Sequence, residues 1–230
     1  MKISVLTDNH AGGYTPAEHG LSYLIESEGK KILFDTGQSD MFIRNAGKMG
    51  VSLENTDYVI LSHGHYDHGN GLEHLKKGIL ICHPGCFVNR YSKKDKHYIG
   101  LKTSREILSS SLNIKESRDP VKITDQIIFL GEIPRVTDFE SQNTQFVFED
   151  GTPDFITDDT SVAFILPDGL FVVTGCGHAG IVNILKHAIN VTGIEKIYGI
   201  MGGFHLKETD NQTRETIRFL REKKVRNILP

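Results

Sequence analysis

The chain has 230 residues, of which 38% are hydrophobic, 24% charged and 8% aromatic. This is the composition of a globular protein with a sizeable core, and it excludes a disordered chain. A formal net charge of −3 excludes a global field that would draw the chain onto nucleic acid or a membrane. No apolar run approaches the roughly 18 residues that span a bilayer.

The first residues and the cysteines favour a protein of the cytosol. The opening "MKISVLTDNH" has too short an apolar core for a signal peptide and is typical of a first strand. The cysteines Cys82, Cys86 and Cys176 form no pair with metal-site or redox spacing, and a sparse, odd number suits a reducing cytosol. We therefore expect a cytoplasmic protein whose oligomeric state the sequence leaves open.

The first half alternates strand-like and helix-like patterns. Its predicted elements are, in chain order, a strand "ISVLT", a hairpin of "LSYLIES" and "KKILFDTG" turning at Glu28-Gly29, a helix in "QSDMFIRNAGKMG", a buried strand "TDYVILS" that delivers His63, a short helix "GLEHLKK" and a strand "GILICHP". Residues 86–118 are polar and basic around "RYSKKDKHY", with one predicted helix at "SREILSSSL". We expect them to form an inserted cap or lid.

Strand patterns resume in the second half. The predicted elements are the strands "DQIIFLGEI", "TQFVFED", "TSVAFILP" and "GLFVVTG", with a turn at Asp168-Gly169, then a helix "HAGIVNILKHAINVTG", a strand "KIYGIMGG", a helix "NQTRETIRFLREKK" and a strand "VRNIL". Two sheets packed face to face with helices outside would satisfy this order. We predict one α/β domain over residues 1–230, with the lid of residues 86–118 inserted in it.

One short stretch carries the chemistry. "LSHGHYDHGN" at 61–70 places His63, His65, Asp67 and His68 within six positions after a buried strand. Imidazole and carboxylate are the usual ligands of zinc, iron and manganese. Residues two apart can point the same way in a loop that continues a strand, so His63 and His65 can share one metal while Asp67 and His68 serve a second. The alternative is a polar turn with exposed histidines.

This H-x-H-x-D-H pattern resembles the hallmark of the metallo-β-lactamase superfamily. The resemblance extends to "ILFDTG" at 32–37 and, for one subgroup, to "EHGLS" at 18–22, "GEIPR" at 131–135, "DDTS" at 158–161, "TGCGHAGIVNIL" at 174–185 and "GGFHL" at 202–206. That subgroup is dihydropteroate-synthase-like, named after a methanopterin-pathway enzyme that joins a dihydropterin diphosphate to a ribofuranosyl-aminobenzene phosphate. The resemblance implies a four-layer αβ/βα sandwich with one or two metals.

The resemblance also implies a supporting role for Asp35, whose carboxylate would orient a ligand histidine; a turn residue before Gly37 is the alternative. His178, in a glycine-flanked turn after a strand, is the expected further ligand of the His63/His65 metal. His205, after "MGGF", is expected to join Asp67 and His68. Relatives of the subgroup continue into an "HCTG"-like segment with a ligand histidine, and this sequence ends at "NILP" before it. The resemblance therefore implies that one metal lacks a ligand.

Several other polar residues are candidates for contacts with the substrate. His19 is a candidate for substrate contact, together with Asn9 and Glu18 in its neighbourhood. Arg90 in the basic lid and Arg135 are candidates for a phosphate, although a solvated face explains the lid as well. The helix after His178 offers backbone N–H donors to an anion. The other histidines are expected to be ordinary surface or packing residues: His10, His74, His83, His97 and His187.

We expect a metal-dependent hydrolase of a phosphoester or related small anionic substrate, acting through a metal-bound hydroxide, with Asp67 and His205 as catalytic residues. The cofactor would be one or two divalent ions, zinc first, with manganese and iron as alternatives. A competing hypothesis is a transferase that condenses a dihydropterin diphosphate with an arylamine. Two others are a Cys176 nucleophile with His178 as base and a metal-binding protein with little activity. If Cys176 is not a nucleophile, it is either a metal ligand or a small buried residue.

Overall fold

The computed structural model describes all of residues 1–230, and the chain forms two compact units, residues 1–117 and 118–230. Each unit contains a six-stranded mixed sheet and helices, which confirms the predicted α/β class. No helix is long and apolar enough to cross a membrane.

The first unit is built on one six-stranded sheet. Its elements are β1 (Lys2–Thr7), β2 (Ser22–Ser27), β3 (Lys30–Phe34), α1 (Met41–Lys48), β4 (Tyr58–Ile60), α2 (Tyr66–Gly69), β5 (Ile79–Cys82), the short strand β6 (Arg90–Ser92), α3 (Arg105–Leu108) and β7 (Asn113–Glu116). The strand order in the sheet is β1-β2-β3-β4-β5-β7. Strands β1, β2 and β3 pair antiparallel, whereas β3, β4, β5 and β7 are parallel. The carboxyl ends of four strands therefore meet at one edge of the sheet.

The predicted hairpin is present. Ser27 pairs with Lys30, so the loop is the two residues Glu28 and Gly29, with φ of 52° and 69°. Two consecutive left-handed residues make the turn whose twist matches antiparallel strands. The strands it joins bury Leu24, Ile25 and Leu33. This hairpin fixes the register that ends β3 immediately before Asp35.

The second unit is also built on a six-stranded sheet. Its elements are β8 (Val121–Thr124), β9 (Ile127–Phe129), the short strand β10 (Phe146–Phe148), β11 (Ser161–Leu166), β12 (Gly169–Thr174), α4 (Ile181–Thr192), β13 (Ile197–Met201), α5 (Asn211–Glu222) and β14 (Asn227–Leu229). The strand order in the sheet is β14-β13-β12-β11-β9-β8. Strands β12, β13 and β14 are parallel and the others antiparallel. Every residue of β12 is buried, and β12 lies inside the sheet between β13 and β11.

Helix α4 supplies much of the second core. Its residues Ile181, Ile184, Leu185 and Ala188 recur at helical spacing and are buried in the cluster that contains Val172 of β12. The helix ends at Gly193, which adopts the left-handed conformation (φ 72°) that commonly terminates a helix. The chain therefore leaves β12, turns once and returns along the sheet.

Some predicted boundaries differ from the structure. The segment "GLEHLKK" is not an α-helix: a 3₁₀ turn covers Asn70–His74 and the α-helical turn precedes it. In the Asp168-Gly169 hairpin, Leu166 pairs with Gly169, so the two loop residues are Pro167 and Asp168. Within residues 86–118, β7 pairs with β5 at the edge of the first sheet. The lid role of that segment and the single-domain organisation stay predictions.

Asp57 joins the start of β4 to β3. Its carboxylate accepts hydrogen bonds from the Lys31 backbone N–H at 2.8 Å and from Lys30 Nζ at 3.1 Å. The backbone bond from Lys31 is the main reason that the pKa of Asp57 is lowered from 3.8. Because the folded pKa lies below the unfolded one, this stabilisation is present above about pH 4 and is lost as the pH falls through the folded value.

We expect Asp57→Asn to lower the free energy of unfolding by about 1 kcal/mol at pH 7, because the neutral amide holds these donors less strongly. Urea unfolding of both proteins should show the difference shrinking as the pH falls below about 4. Asp125→Asn is the control, since Asp125 is exposed on the turn between β8 and β9. An equal loss in both variants would contradict the role of Asp57.

Candidate functional site

In the first unit, the predicted metal residues lie at the carboxyl ends of parallel strands. Asp35 follows β3 directly, and His63 follows β4 after two residues. The side chains of His63, His65, Asp67 and His68 are all buried. A polar turn would leave such residues in water, so the exposed-turn alternative does not describe this loop.

The histidines of this loop face one another. His63 Nε2 and His65 Nδ1 lie 2.9 Å apart, and the His63 and His68 ring centroids are 4.3 Å apart. Gly64 allows this arrangement, because a Cβ at that position would collide with the Cys86 carbonyl oxygen. The H-G-H sequence therefore keeps the backbone close to the residues after β5 while it turns two imidazoles toward each other.

Asp35 orients two of the histidines. Its Oδ2 accepts hydrogen bonds from His68 Nδ1 and from Ser62 Oγ, both at 2.7 Å, and its Oδ1 accepts from the Ser62 N–H at 2.7 Å. Because Ser62 Oγ gives its proton to Asp35, it accepts from His63 Nδ1 at 2.9 Å. Both imidazoles thus carry a proton on Nδ1, and in the neutral ring Nε2 then has the lone pair that ligates a metal.

Asp67 is held by the "EHGLS" segment. His19 Nε2 lies 3.2 Å from Asp67 Oδ2, and the Leu21 N–H donates to the Asp67 carbonyl at 3.3 Å. Gly20 approaches that carbonyl so closely that a Cβ would collide with it, and Asn9 Oδ1 accepts from the Gly20 N–H at 2.8 Å. His19 therefore contacts a predicted ligand, and its contact with a substrate stays a prediction.

In the second unit, two adjacent parallel strands deliver the other predicted histidines. His178 follows β12 through Gly175, Cys176 and Gly177, and His205 follows β13. Their ring centroids lie 4.5 Å apart, with the Phe146 ring edge-to-face on His178 at 5.4 Å. Sequence reasoning placed both at strand ends, and the parallel pairing of β12 with β13 is what brings them together.

Two side chains, Ser141 and Asp159, hold the turn that carries His178. Ser141 Oγ donates to the His178 carbonyl at 2.5 Å, and Asp159 Oδ2 accepts from the Ala179 N–H at 2.9 Å. Asp159 is completely buried, and this desolvation raises its pKa to about 7, against the opposing effect of the backbone bonds. Asp159 is the second acid of the "DDTS" stretch, which the sequence marked without assigning it a role.

Glu140 occupies the amino terminus of α4. Its carboxylate accepts from the N–H groups of Val182 and Asn183, both at 2.8 Å, and from Thr137 Oγ1 at 3.2 Å. Burial raises the pKa of Glu140, although these bonds oppose the shift. The expectation that these helix donors serve a substrate anion is therefore corrected, because a carboxylate of the chain itself already occupies them.

Both predicted phosphate-binding arginines make internal bonds. Arg90 is buried, and its Nη2 donates to the Gly85 carbonyl at 2.9 Å. Arg135 donates to the carbonyls of Ile133, Phe155 and Ile156, at 2.9, 3.1 and 2.8 Å. These bonds give each guanidinium a structural role. A contact of Arg90 or Arg135 with a substrate stays a prediction.

Sequence reasoning missed three of the residues that build these surroundings: Ser62, Glu140 and Asp159. Ser62 was visible beside His63, but its two roles toward Asp35 and His63 depend on β3 and β4 lying side by side. Glu140 and Asp159 lie about 40 and 20 residues from the groups that they bind, so no local spacing reveals them. The half-buried Cys176 stays without an assigned role.

The donor set of the first unit fits a divalent cation. It offers three buried imidazoles and one carboxylate, and the ligand atoms of His63 lie within 4.8 Å of those of His65 and of His68. Imidazole and carboxylate are the ligands of zinc, manganese and iron sites, and Asp35 and Ser62 set the tautomers that such a site needs.

Comparison with known proteins agrees with this chemistry. Residues 15–187 match the model of the metallo-beta-lactamase superfamily, and the chain belongs to that superfamily. Members of this superfamily are enzymes that typically bind divalent metals. The predicted resemblance is thereby confirmed.

Particular relatives refine the comparison. The chain is 33% identical to the 7,8-dihydropterin-6-methyl-4-(β-D-ribofuranosyl)-aminobenzene-5'-phosphate synthase of Methanocaldococcus jannaschii, over 99% of this chain and 85% of that protein. It is 35% identical to an uncharacterized protein of the same organism, over 89% of this chain and 79% of that protein. A solved structure of Tm1679, a metal-dependent hydrolase of the β-lactamase superfamily, is similar with a TM-score of 0.87 and 30% identity, covering 99% of this chain and 86% of that one. This similarity confirms the predicted sandwich class.

Asp35→Asn should raise the dissociation constant for Zn²⁺ about 10- to 100-fold, because an amide no longer accepts from both Ser62 and His68. Competition with a zinc-binding dye measures the constant. Asp40→Asn is the control, because Asp40 is a solvent-accessible residue just before α1. Unchanged zinc affinity in a folded Asp35→Asn protein would show that Asp35 has no role in orienting ligands.

Glu140→Gln should lower the free energy of unfolding by about 2–4 kcal/mol, because one of the two N–H groups then faces an amide NH₂ without an acceptor. Chemical denaturation measures this loss, with exposed Glu149→Gln as the control. A loss below about 0.5 kcal/mol would contradict the role of the Glu140 carboxylate in stabilising the start of α4.

Proposed function

We propose that the chain is a metal-dependent hydrolase of a phosphoester or related anionic substrate. The proposed ligands are His63, His65, Asp67, His68, His178 and His205, which would hold one or two divalent ions, zinc first. The observation that carries the proposal is the Asp35–Ser62 network, which presents the Nε2 lone pairs of His63 and His68 in a buried loop. Histidines whose ring nitrogens are hydrogen-bonded to a carboxylate or a hydroxyl in this way are typical of metal sites.

When bound, a divalent ion would supply Lewis acidity and activate water near neutral pH. Side chains of the protein would carry out the proton transfers. Asp67, whose Oδ2 lies 3.6 Å from His68 Nε2 and 3.2 Å from His19 Nε2, is positioned to hold or accept a proton. His205 is the proposed second catalytic group, able to donate a proton to a leaving oxygen.

A transferase is the second candidate, favoured by one comparison. The synthase relative has a name that describes a product joining a dihydropterin to an aminobenzene, and it matches nearly the whole chain. In such a reaction the proposed ligands would hold the metal that activates a diphosphate leaving group. The amine of an arylamine would be the nucleophile. Both candidates need the same metal residues, so they differ only in whether water or an amine is the nucleophile.

Metal removal tests the proposal. The purified protein should contain about one or two equivalents of zinc, manganese or iron by elemental analysis, and should hydrolyse a chromogenic phosphodiester. Chelation should abolish turnover and zinc should restore it. His63→Ala should lower kcat/KM at least about 100-fold, whereas His97→Ala should not, because His97 is an exposed residue bonded to Asp95.

The outcomes separate the hypotheses. Turnover without any amine supports the hydrolase, and product formation only with a dihydropterin diphosphate and an arylamine supports the transferase. Metal binding without turnover of any phosphoester, lactone or pterin substrate would indicate a metal-binding protein. Metal-independent turnover that Cys176→Ala abolishes would overturn the proposal in favour of a thiol nucleophile.

A further inference from the structure

The segment "EHGLS" at 18–22 contacts a proposed metal ligand in two places. His19 Nε2 lies 3.2 Å from Asp67 Oδ2, and the Leu21 N–H donates to the Asp67 carbonyl at 3.3 Å. The first contact involves the carboxylate and the second the main chain. The segment that precedes β2 therefore holds both parts of Asp67, within the first unit.

The His19 ring has little packing to hold it in this position. Its side chain is 61% exposed, whereas that of Asp67 is 10% exposed. The ring centroid of Tyr66 lies 6.3 Å from that of His19, near the outer limit of a contact between rings. An exposed side chain with so few neighbours can adopt several rotamers. The orientation of Nε2 toward Asp67 therefore depends on hydrogen bonds.

Asn9 supplies the hydrogen bond on the other side of the ring. Its Oδ1 accepts from the Gly20 N–H at 2.8 Å and lies 3.2 Å from His19 Nδ1. A backbone N–H can only donate, so the Asn9 atom that it meets is the amide oxygen, and His19 Nδ1 donates to the same oxygen. Nε2 faces a carboxylate oxygen, which is also an acceptor. The imidazole thus bridges Asn9 and Asp67 and donates to both.

The backbone around His19 has further support that does not involve the Asn9 side chain. Glu18 Oε2 accepts from Ser39 Oγ at 2.6 Å, and Gln38 Nε2 donates to the His19 carbonyl at 2.9 Å. These bonds join the segment to the loop after β3. Removal of the Asn9 amide should therefore free the His19 ring while the segment itself stays in place.

We propose that Asn9 is a positioning residue that acts through His19: it directs the imidazole onto Asp67 and so holds that carboxylate in the orientation that binds a metal. This inference rests on the proposed function, because it requires Asp67 to be a ligand. Removing the outer hydrogen-bond partners of a ligand commonly weakens metal binding. Asn9 and His19 thus serve the carboxylate of the loop as Asp35 and Ser62 serve its imidazoles.

Zinc affinity provides the first test. The full chain is freed of metal by chelation, and its dissociation constant for Zn²⁺ is measured by dye competition at one fixed pH. Asn9→Leu should raise the constant about three- to tenfold, as expected for a lost hydrogen bond. Asn9→Asp retains an acceptor oxygen and should not raise it. Asn190→Leu is the matched control, because Asn190 is exposed on α4, and it should leave the constant unchanged.

A double-mutant cycle separates positioning from a general structural effect. His19→Ala should also raise the constant, and adding Asn9→Leu to it should have no further effect, because Asn9 acts through the ring. Additive effects would overturn the inference. So would an unchanged constant in Asn9→Leu, or a loss of the same size in Asn9→Asp or Asn190→Leu. Circular dichroism confirms that each variant is folded.

The metal-free chain gives a readout that needs neither zinc nor turnover. In long-range ¹H–¹⁵N NMR spectra, the ring signals of His19 should shift in Asn9→Leu and in Asp67→Asn, and should stay in place in Asn190→Leu. A ring that responds to neither of the first two variants is not held between Asn9 and Asp67, which contradicts the inference. If the wild-type chain binds no zinc, the proposed function fails, and these spectra still show whether Asn9 positions His19.

Discussion

The buried carboxylate of Asp35 is the interaction on which the candidate metal loop depends. It lies at the end of β3 in a left-handed conformation (φ 56°) and is fully removed from solvent. A buried carboxylate is costly unless its oxygens are satisfied. Here the donors are the Ser62 N–H, the Ser62 hydroxyl and His68 Nδ1. The hydrogen bonds that stabilise the buried carboxylate therefore also orient the imidazoles.

The segments around Asp35 are arranged so that its carboxylate meets these donors. The two-residue hairpin loop sets where β3 ends, and the parallel pairing of β3 with β4 places Ser62 beside Asp35. Gly64 then lets the chain pass close to Cys86, and Gly20 lets the "EHGLS" segment reach the Asp67 carbonyl. Both glycines are needed because another backbone segment lies where a Cβ atom would be.

The second unit uses buried acids in a comparable way but for a different purpose. Glu140 and Asp159 bind backbone N–H groups of the turn and helix that follow His178, and Ser141 binds its carbonyl. These carboxylates fix the position of a histidine and take up the helix donors, so they reduce what is available for an anion. The cavity beside His178 and His205 is lined by amide side chains and by no carboxylate, lysine or arginine.

The sequence by itself determined the mixed α/β class, most strands and helices, the family and the four-residue metal pattern, because these depend on local periodicity and on short motifs. It also placed His178 and His205 at strand ends. Only the tertiary structure decided what surrounds them: that Ser62 relays between Asp35 and His63, that Glu140 closes the helix terminus, and that Arg135 bonds to carbonyls. The physical reason is that each of these depends on which distant segments lie side by side, and a buried polar group takes its role from the partner that satisfies it.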